Sequence, residues 1–220
     1  DFKYQYPNVT AAGSWRTANN LNTAREALAG AGTQTAGLAF GGYTGSVSAD
    51  TEKYDGTSWT EVNNLNTART YVAGTGTQTS ALAFGGFLDP GNTAVTESYN
   101  GTNWTEVADL NVARNAIGGA GADNTSALAI GGSGALTNTE TWNGSSWTEV
   151  NNLNSGRSAM GAAGIITSAI CAGGNPDTVN VETWNGTNWT EVANLNTSRS
   201  GLAASGVDNT ANLAFGGTRP

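Results

Sequence analysis

The chain has 220 residues and is acidic: 17 Asp and Glu residues stand against 9 Lys and Arg, which gives a net charge of −8. It has no His and one Cys, which excludes imidazole bases, His metal ligands, internal disulfides and thiolate metal clusters. Nucleic acid phosphates repel an acidic chain with scattered basic residues, and no apolar stretch is long enough to cross a bilayer. We therefore predict no catalytic residue, metal site, cofactor, nucleic-acid partner or membrane insertion.

Internal repeats organise the chain. A Leu-Asn-x-small-Arg motif occurs five times at intervals of 42 to 45 residues, and each copy is accompanied by a Gly-Gly pair and a Trp. Three markers with one period cannot be explained by chance. The motif arginines are Arg25, Arg69, Arg114, Arg157 and Arg199.

Each unit is predicted to contain four short strands in chain order. In the first unit, the first strand runs from Arg25 to Gly32 and is mostly Ala and Gly, which indicates that neighbouring sheets approach closely there. The second strand spans 36–40 and ends at the Gly-Gly pair. The third carries Tyr54 and reaches the fourth, at 59–62, through a tight Asp-Gly turn. No segment has a helical period of useful length.

Four strands in a unit of this length are typical of a propeller blade. We predict an all-β protein: a five-bladed β-propeller of four-stranded antiparallel blades that forms a single domain over residues 1–220. The last unit stops after its second strand, so we expect a composite N-/C-terminal blade to close the ring. The predicted blades are 20–62, 64–107, 109–150, 152–192, and 194–217 completed by 2–18.

The Gly-Gly pair, the following aromatic, the Trp and the Arg at this spacing resemble the kelch repeat over nearly the whole chain. The chain is similar to kelch-like proteins of marine bacteriophages in three sequence motifs: Leu-Asn-Thr-Ala-Arg, Leu-Ala-Phe-Gly-Gly and Tyr-Asn-Gly-x-x-Trp-Thr. Those proteins are mostly virion or tail-associated and have no assigned activity. The resemblance implies a propeller, a viral or environmental bacterial origin, and a virion or extracellular location. Kelch propellers usually have six or seven blades, so five departs from the family pattern.

Residues that recur in every unit are predicted to be structural. The repeat arginines are expected to bond Glu52, Glu97, Glu140 or Glu182, or carbonyls between blades, and an anion-binding ring is the alternative. The recurring Trp and Tyr residues are expected to pack between blades, with stacking on sugars as the alternative. Cys171 occupies a position that holds Ala in the other units, which favours a small core residue over a nucleophile or metal ligand.

The segments after the Gly-Gly pairs differ in length and content from unit to unit. They connect the second strand to the third and are expected to lie on the same face as the connections between blades. Variable loops on a rigid scaffold are typical of recognition surfaces. We therefore predict Tyr43, Phe87, Leu88 and Asp89 as ligand-binding residues, with ordinary loop variation as the alternative.

The sequence favours a non-enzymatic binding or structural module, a phage virion or tail-associated protein that recognises a surface glycan or a neighbouring virion or host protein. A bacterial kelch-type protein-interaction domain is the second hypothesis. A glycan-active enzyme is the third, because paired carboxylates can hydrolyse glycosidic bonds. Most carboxylates here recur once per unit, which is typical of structural or solvated groups.

Overall fold

The computed structural model describes residues 18–218 of the protein. The regular elements in this range are β-strands, and 16 of the 20 strands form four antiparallel sheets of four strands each. Each sheet corresponds to one sequence repeat, and the strands follow one another as a meander. The architecture is all-β and consistent with a propeller-like fold.

The first two sheets consist of β1 (Ala29–Thr33), β2 (Ala36–Phe40), β3 (Thr51–Tyr54) and β4 (Trp59–Val62), then β5 (Ala73–Thr77), β6 (Ser80–Phe84), β9 (Thr96–Tyr99) and β10 (Trp104–Val107). The third and fourth consist of β11 (Gly118–Asp123), β12 (Ser126–Ile130), β13 (Thr139–Trp142) and β14 (Trp147–Val150), then β15 (Gly161–Ile165), β16 (Ser168–Ala172), β17 (Val181–Trp184) and β18 (Trp189–Glu191). Two further pairs are β7 (Phe87–Leu88) with β8 (Gly91–Asn92), and β19 (Ser200–Gly206) with β20 (Asn212–Thr218).

The first strands of the five units lie around one space. Residues of β1, β5, β11, β15 and β19 together line a cavity of about 220 Å³, and we call its centre line the common axis. Small residues are required here because the strands lie close to the neighbouring sheets: a Cβ added to Gly74 would lie 2.9 Å from Cε2 of Phe40 in the preceding unit. The Ala- and Gly-rich composition of these strands therefore follows from the tight packing about the axis.

Consecutive sheets pack large side chains against small ones. Between the second and third units, Leu82 and Phe84 join Ala127 and Ala129 in a buried apolar cluster that includes Trp147. The ring centroids of Phe84 and Trp147 are 5.0 Å apart, a distance at which tilted aromatic pairs attract each other. Equivalent clusters join the first unit to the second and the third to the fourth.

Hydrogen bonds join the same units. The indole N–H of Trp147 donates to the Thr96 hydroxyl at 3.1 Å, and the N–H of Gly86 donates to the Arg114 carbonyl at 3.0 Å. Both glycines of the pair have positive φ. A side chain at Gly85 would meet the Arg114 carbonyl of the next unit, and one at Gly86 would meet the Thr70 carbonyl of the same unit. The three sequence markers are therefore parts of one repeated interface.

Two strand predictions differ from the structure. The first strand was predicted from Arg25, but β1 begins at Ala29, because Ala27 has a φ of 50° and breaks the extended conformation. The segment after Phe84 was predicted as a loop, yet it folds into the β7–β8 hairpin. Phe87 and Leu88 therefore lie on a short strand.

The fifth unit differs from the others in burial. Leu213 of β20 is 56% exposed, whereas its repeat counterpart Leu82 is fully buried. The outer strands that the sequence predicts for this unit fall on residues 2–18, of which 2–17 lie outside the described residues, as does Trp15. The composite blade therefore stays a prediction.

Candidate ligand-binding site

Three of the four predicted ligand-binding residues meet at one cavity. Tyr43, Phe87 and Asp89 line a space of about 540 Å³ between the first and second units. Leu88 is half-buried and is not among the described residues that line this space. Adjacent residues of a strand point to opposite faces, so Leu88 is directed away when its neighbour Phe87 faces the cavity. We call this space the aromatic cavity.

A backbone frame holds the aromatic cavity. Tyr43 forms two backbone hydrogen bonds with Glu26, at 2.8 and 3.1 Å. Phe87 forms the same pair with Thr70, at 2.7 and 3.1 Å. In both units, the residue after the Gly-Gly pair is thus fixed to the residue after the repeat Arg.

Tyr71 is a cavity residue that the sequence interpretation did not identify. It has a φ of 51° and is 53% exposed, and a Tyr in the left-handed region is uncommon. Its N–H donates to the Ala27 carbonyl at 2.9 Å, and its own carbonyl accepts from the N–H of Ala116 at 3.1 Å. These bonds hold the residue in place although its conformation is unfavourable.

The signal for Tyr71 was present in the repeats. The second residue after the repeat Arg has positive φ in all five units, and apart from Tyr71 its occupants are small: Ala27, Ala116, Ala159 and Gly201.

The next residues in the first two units, Leu28 and Val72, line a second cavity on the common axis. The aromatic cavity therefore lies beside the axis.

The charge of the aromatic cavity is negative. Its described lining consists of Glu26, Ala27, Tyr43, Gly45, Ser46, Val47, Thr70, Tyr71, Phe87 and Asp89, with no Lys or Arg among them. Glu26 and Asp89 are exposed. Neither carboxylate forms an ion pair or side-chain hydrogen bond within the described part of the chain. The two acids belong to different units and face the same space.

Four of the five repeat arginines have buried side chains that contact a carboxylate of their own unit. Arg69 contacts Glu97 at 2.8 Å and Arg114 contacts Glu140 at 2.9 Å. The other pairs are Arg25 with Glu52, at 3.2 Å, and Arg157 with Glu182. Arg199 of the fifth unit is half-buried and donates to the Gly216 carbonyl at 3.3 Å.

Burial lowers the pKa of Arg69 and Arg114, and the Glu97 and Glu140 carboxylates oppose this effect. Guanidinium groups remain protonated under such conditions. The motif Asn completes the arrangement: the backbone N–H and side-chain amide of Asn66 donate to Glu97 at 2.7 and 2.9 Å. The Leu-Asn-x-x-Arg motif thus surrounds a buried carboxylate with donors.

The other candidate groups lie within the sheets. Among the described residues, six Tyr and Trp side chains are buried in the clusters between units: Tyr99, Trp104, Trp142, Trp147, Trp184 and Trp189. Cys171 is fully buried, and burial raises the pKa of its thiol to about 12. The strand register places Glu97 opposite Glu106, but Glu97 is engaged by Arg69 whereas Glu106 is exposed.

The chain was compared with protein-family models and with curated proteins. No protein-family model matches the chain, and neither does any curated protein. Between residues 18 and 218, no three His, Cys, Asp or Glu side chains are grouped so that they could hold a metal ion. No apolar helix of membrane-crossing length occurs in that range.

Proposed function

We propose that the protein is a non-enzymatic, kelch-like binding module that recognises a surface glycan at the aromatic cavity. One observation carries the proposal: Tyr43, Tyr71 and Phe87 line one space of about 540 Å³ on a hydrogen-bonded backbone frame. This volume lies within the range of small-molecule sites. Aromatic rings offer flat apolar faces to the C–H groups of a sugar, and carboxylates accept hydrogen bonds from its hydroxyls.

The resemblance to kelch-like proteins of marine bacteriophages supports a place on a virion or outside the cell, where surface glycans are accessible. A neighbouring virion or host protein is the alternative partner on the same face. The non-enzymatic role is supported by the repeat carboxylates, since Glu97 and its counterparts are each engaged by an Arg of the same unit.

In this proposal the five units are five blades, and residues 2–18 complete the last blade. The burial of the first unit supports closure there: Tyr54 and Trp59 are half-buried, whereas the equivalent Tyr99 and Trp104 are buried. On the fifth unit, the exposed Leu213 lies on the face that would pack against Tyr54 and Trp59 in a closed ring. Both faces have the composition of the buried interfaces between the other units.

The path of the chain at Asn19 also supports closure. Its side-chain amide donates to the Thr57 carbonyl at 2.8 Å, as that of Asn151 donates to the Thr187 carbonyl at 3.0 Å. Asn151 directly follows β14, the outer strand of the third unit. Asn19 therefore occupies the position that, in the other units, directly follows the outer strand of the preceding unit.

Hydrogen exchange tests the closure. We expect deletion of residues 1–17 to reduce the protection of the β20 amides and to leave β6, in the second unit, protected. Equal protection of β20 in the two chains would rule out the composite blade.

A glycan array tests the binding site with substitutions taken from the other units. Tyr71→Ala introduces the residue of three other units, and Phe87→Ser introduces that of the third unit at Ser133. We expect both variants to keep the melting temperature of the parent and to lose its glycan signals. Val207→Ala, at an exposed position outside the cavity, should retain them. Signals that persist in both cavity variants would exclude this site, and capture of one protein with no glycan signal would favour the alternative partner.

A further inference from the structure

The aromatic cavity combines three features that together determine the charge of its ligand. It has aromatic walls, it has two carboxylates, and no basic residue is found in its described lining. The protein as a whole carries a net charge of −8. The charge therefore distinguishes among sugars that the aromatic walls alone would accept equally.

The carboxylates of Glu26 and Asp89 reach the cavity from different units. Glu26 follows the repeat Arg of the first unit, and its backbone is fixed by two hydrogen bonds to Tyr43. Asp89 lies at the tip of the β7–β8 hairpin of the second unit. Because neither carboxylate has a partner within the described part of the chain, both are free to pair with a ligand.

The aromatic rings act in the same direction. The faces of Tyr and Phe rings carry a partial negative charge from the ring quadrupole and attract cations placed over them. Tyr43 and Tyr71 are both exposed, and the position of Tyr71 is fixed by its backbone bonds to Ala27 and Ala116. An ammonium group in the cavity gains from rings and carboxylates together, whereas a neutral group of similar size gains mainly from dispersion and hydrogen bonding.

We propose that the aromatic cavity selects a sugar with a free, protonated amino group, such as a glucosamine residue, over its N-acetylated form. The inference rests on the proposed glycan-binding function and specifies its ligand class. Acetylation converts the ammonium into a neutral amide and removes its attraction to Glu26, Asp89 and the rings. An acidic sugar is disfavoured at the same site because carboxylates repel each other.

Calorimetric titration with a matched pair of ligands tests the proposal. A glucosamine trimer and its fully N-acetylated counterpart are compared at about pH 5.5, where the sugar amine is protonated. We expect the free amine to bind about tenfold more tightly, from ring and carboxylate attraction together. The preference should shrink when the salt concentration rises from about 20 mM to about 500 mM, because salt screens exposed charges.

Two neutral variants identify the source of the preference. Glu26→Gln and Asp89→Asn remove the charges and keep side chains of the same size, so the advantage of the amine should fall in each and vanish in the double variant. Glu61→Gln removes an exposed carboxylate from β4, outside the cavity lining, and should leave the advantage intact. An amine preference that survives the double variant overturns the proposal.

The outcomes separate this inference from the function on which it rests. Equal binding of the two trimers, lost in both cases with Tyr71→Ala, overturns the charge preference and keeps the glycan site. Amine binding that Tyr71→Ala does not weaken places the ligand elsewhere and overturns the inference. A protein that binds neither trimer and gives no signal on the glycan array refutes both proposals.

Discussion

Arg69 and Glu97 form a fully buried ion pair, with 2.8 Å between Nη1 of the guanidinium and Oε1 of the carboxylate. Both residues belong to the second unit, and the loop that carries Arg69 comes directly from the first. The ion pair therefore anchors the connection between two sheets to the middle of the sheet that follows. The equivalent pairs in three other units repeat the same anchor.

Replacing one member of this pair should be strongly destabilising. Glu97→Gln leaves the Arg69 guanidinium buried without its counter-charge, and we expect the free energy of unfolding to fall by about 3–5 kcal/mol. Urea denaturation followed by Trp fluorescence measures the change. Glu106→Gln, at the exposed position opposite Glu97, is the control and should change stability by less than about 0.5 kcal/mol. Similar losses in the two variants would show that the ion pair does not anchor the connection.

The Gly-Gly pair should tolerate no side chain. Gly85 has a φ of 62°, and an added Cβ would lie 2.6 Å from the Arg114 carbonyl oxygen of the next unit. We expect Gly85→Ala to cost about 1–3 kcal/mol through backbone strain and the displaced interface. Gly91→Ala, on β8 with no atom near the added Cβ, should be close to neutral. Thermal unfolding of both variants tests the difference. A Gly85→Ala variant as stable as Gly91→Ala would contradict both the strain at Gly85 and its contact with the next unit.

Cys171 should be inert in the folded protein. Burial raises the pKa of its thiol to about 12, so the reactive thiolate is nearly absent at neutral pH. Because the folded pKa lies so high, raising the pH from about 7 to about 9 should not make the native protein react with iodoacetamide. Mass spectrometry should show full modification after unfolding in urea. Rapid modification of the native chain would contradict the burial of this residue.

Asp55 should make stability depend on acid. Its carboxylate accepts the N–H groups of Thr57 and Ser58 at 2.8 Å each, and these bonds lower the pKa of Asp55. A lowered folded pKa means that the stabilisation is present above the unfolded value of about 3.9 and is lost as the pH falls through the folded value. Melting temperatures at about pH 7 and about pH 2.5 should therefore differ less in Asp55→Asn than in the parent.

The reverse substitution is the matched control for this turn. Asn100 occupies the same position in the second unit and accepts the N–H groups of Thr102 and Asn103 at 2.9 Å each. We expect Asn100→Asp to increase the loss of melting temperature on acidification. The absence of any change in both variants would mean that these turns do not contribute to the pH dependence of stability.

Much of the fold could be predicted from the sequence because each unit repeats the same solution. Five copies of the Arg motif and the Gly-Gly pair separate the structural residues from the rest, and the sheets follow their period. Repetition also isolated Tyr43, Phe87 and Asp89, which the structure brings to one cavity.

The remaining features depend on backbone conformation. Ala27 and Tyr71 adopt positive φ without being Gly, because hydrogen bonds between units impose this conformation on whichever residue is present. The positive φ at Ala27 moves the start of β1, and the positive φ at Tyr71 brings this residue to the cavity. The exclusion of Leu88 follows from the β7–β8 hairpin, whose two-residue strands lie below the length at which a sequence pattern is visible.

The frame around the aromatic cavity is made of main-chain atoms alone. Glu26 with Tyr43, Thr70 with Phe87, and Ala27 with Tyr71 are joined through N–H and C=O groups, which any residue other than Pro supplies. Substitution of these side chains leaves the bonds in place, so new specificities can evolve here by point mutation without loss of the scaffold. Because the main chain holds the frame and the side chains contact the ligand, the cavity suits directed evolution: these positions can be randomised together and variants selected for binding to a chosen ligand.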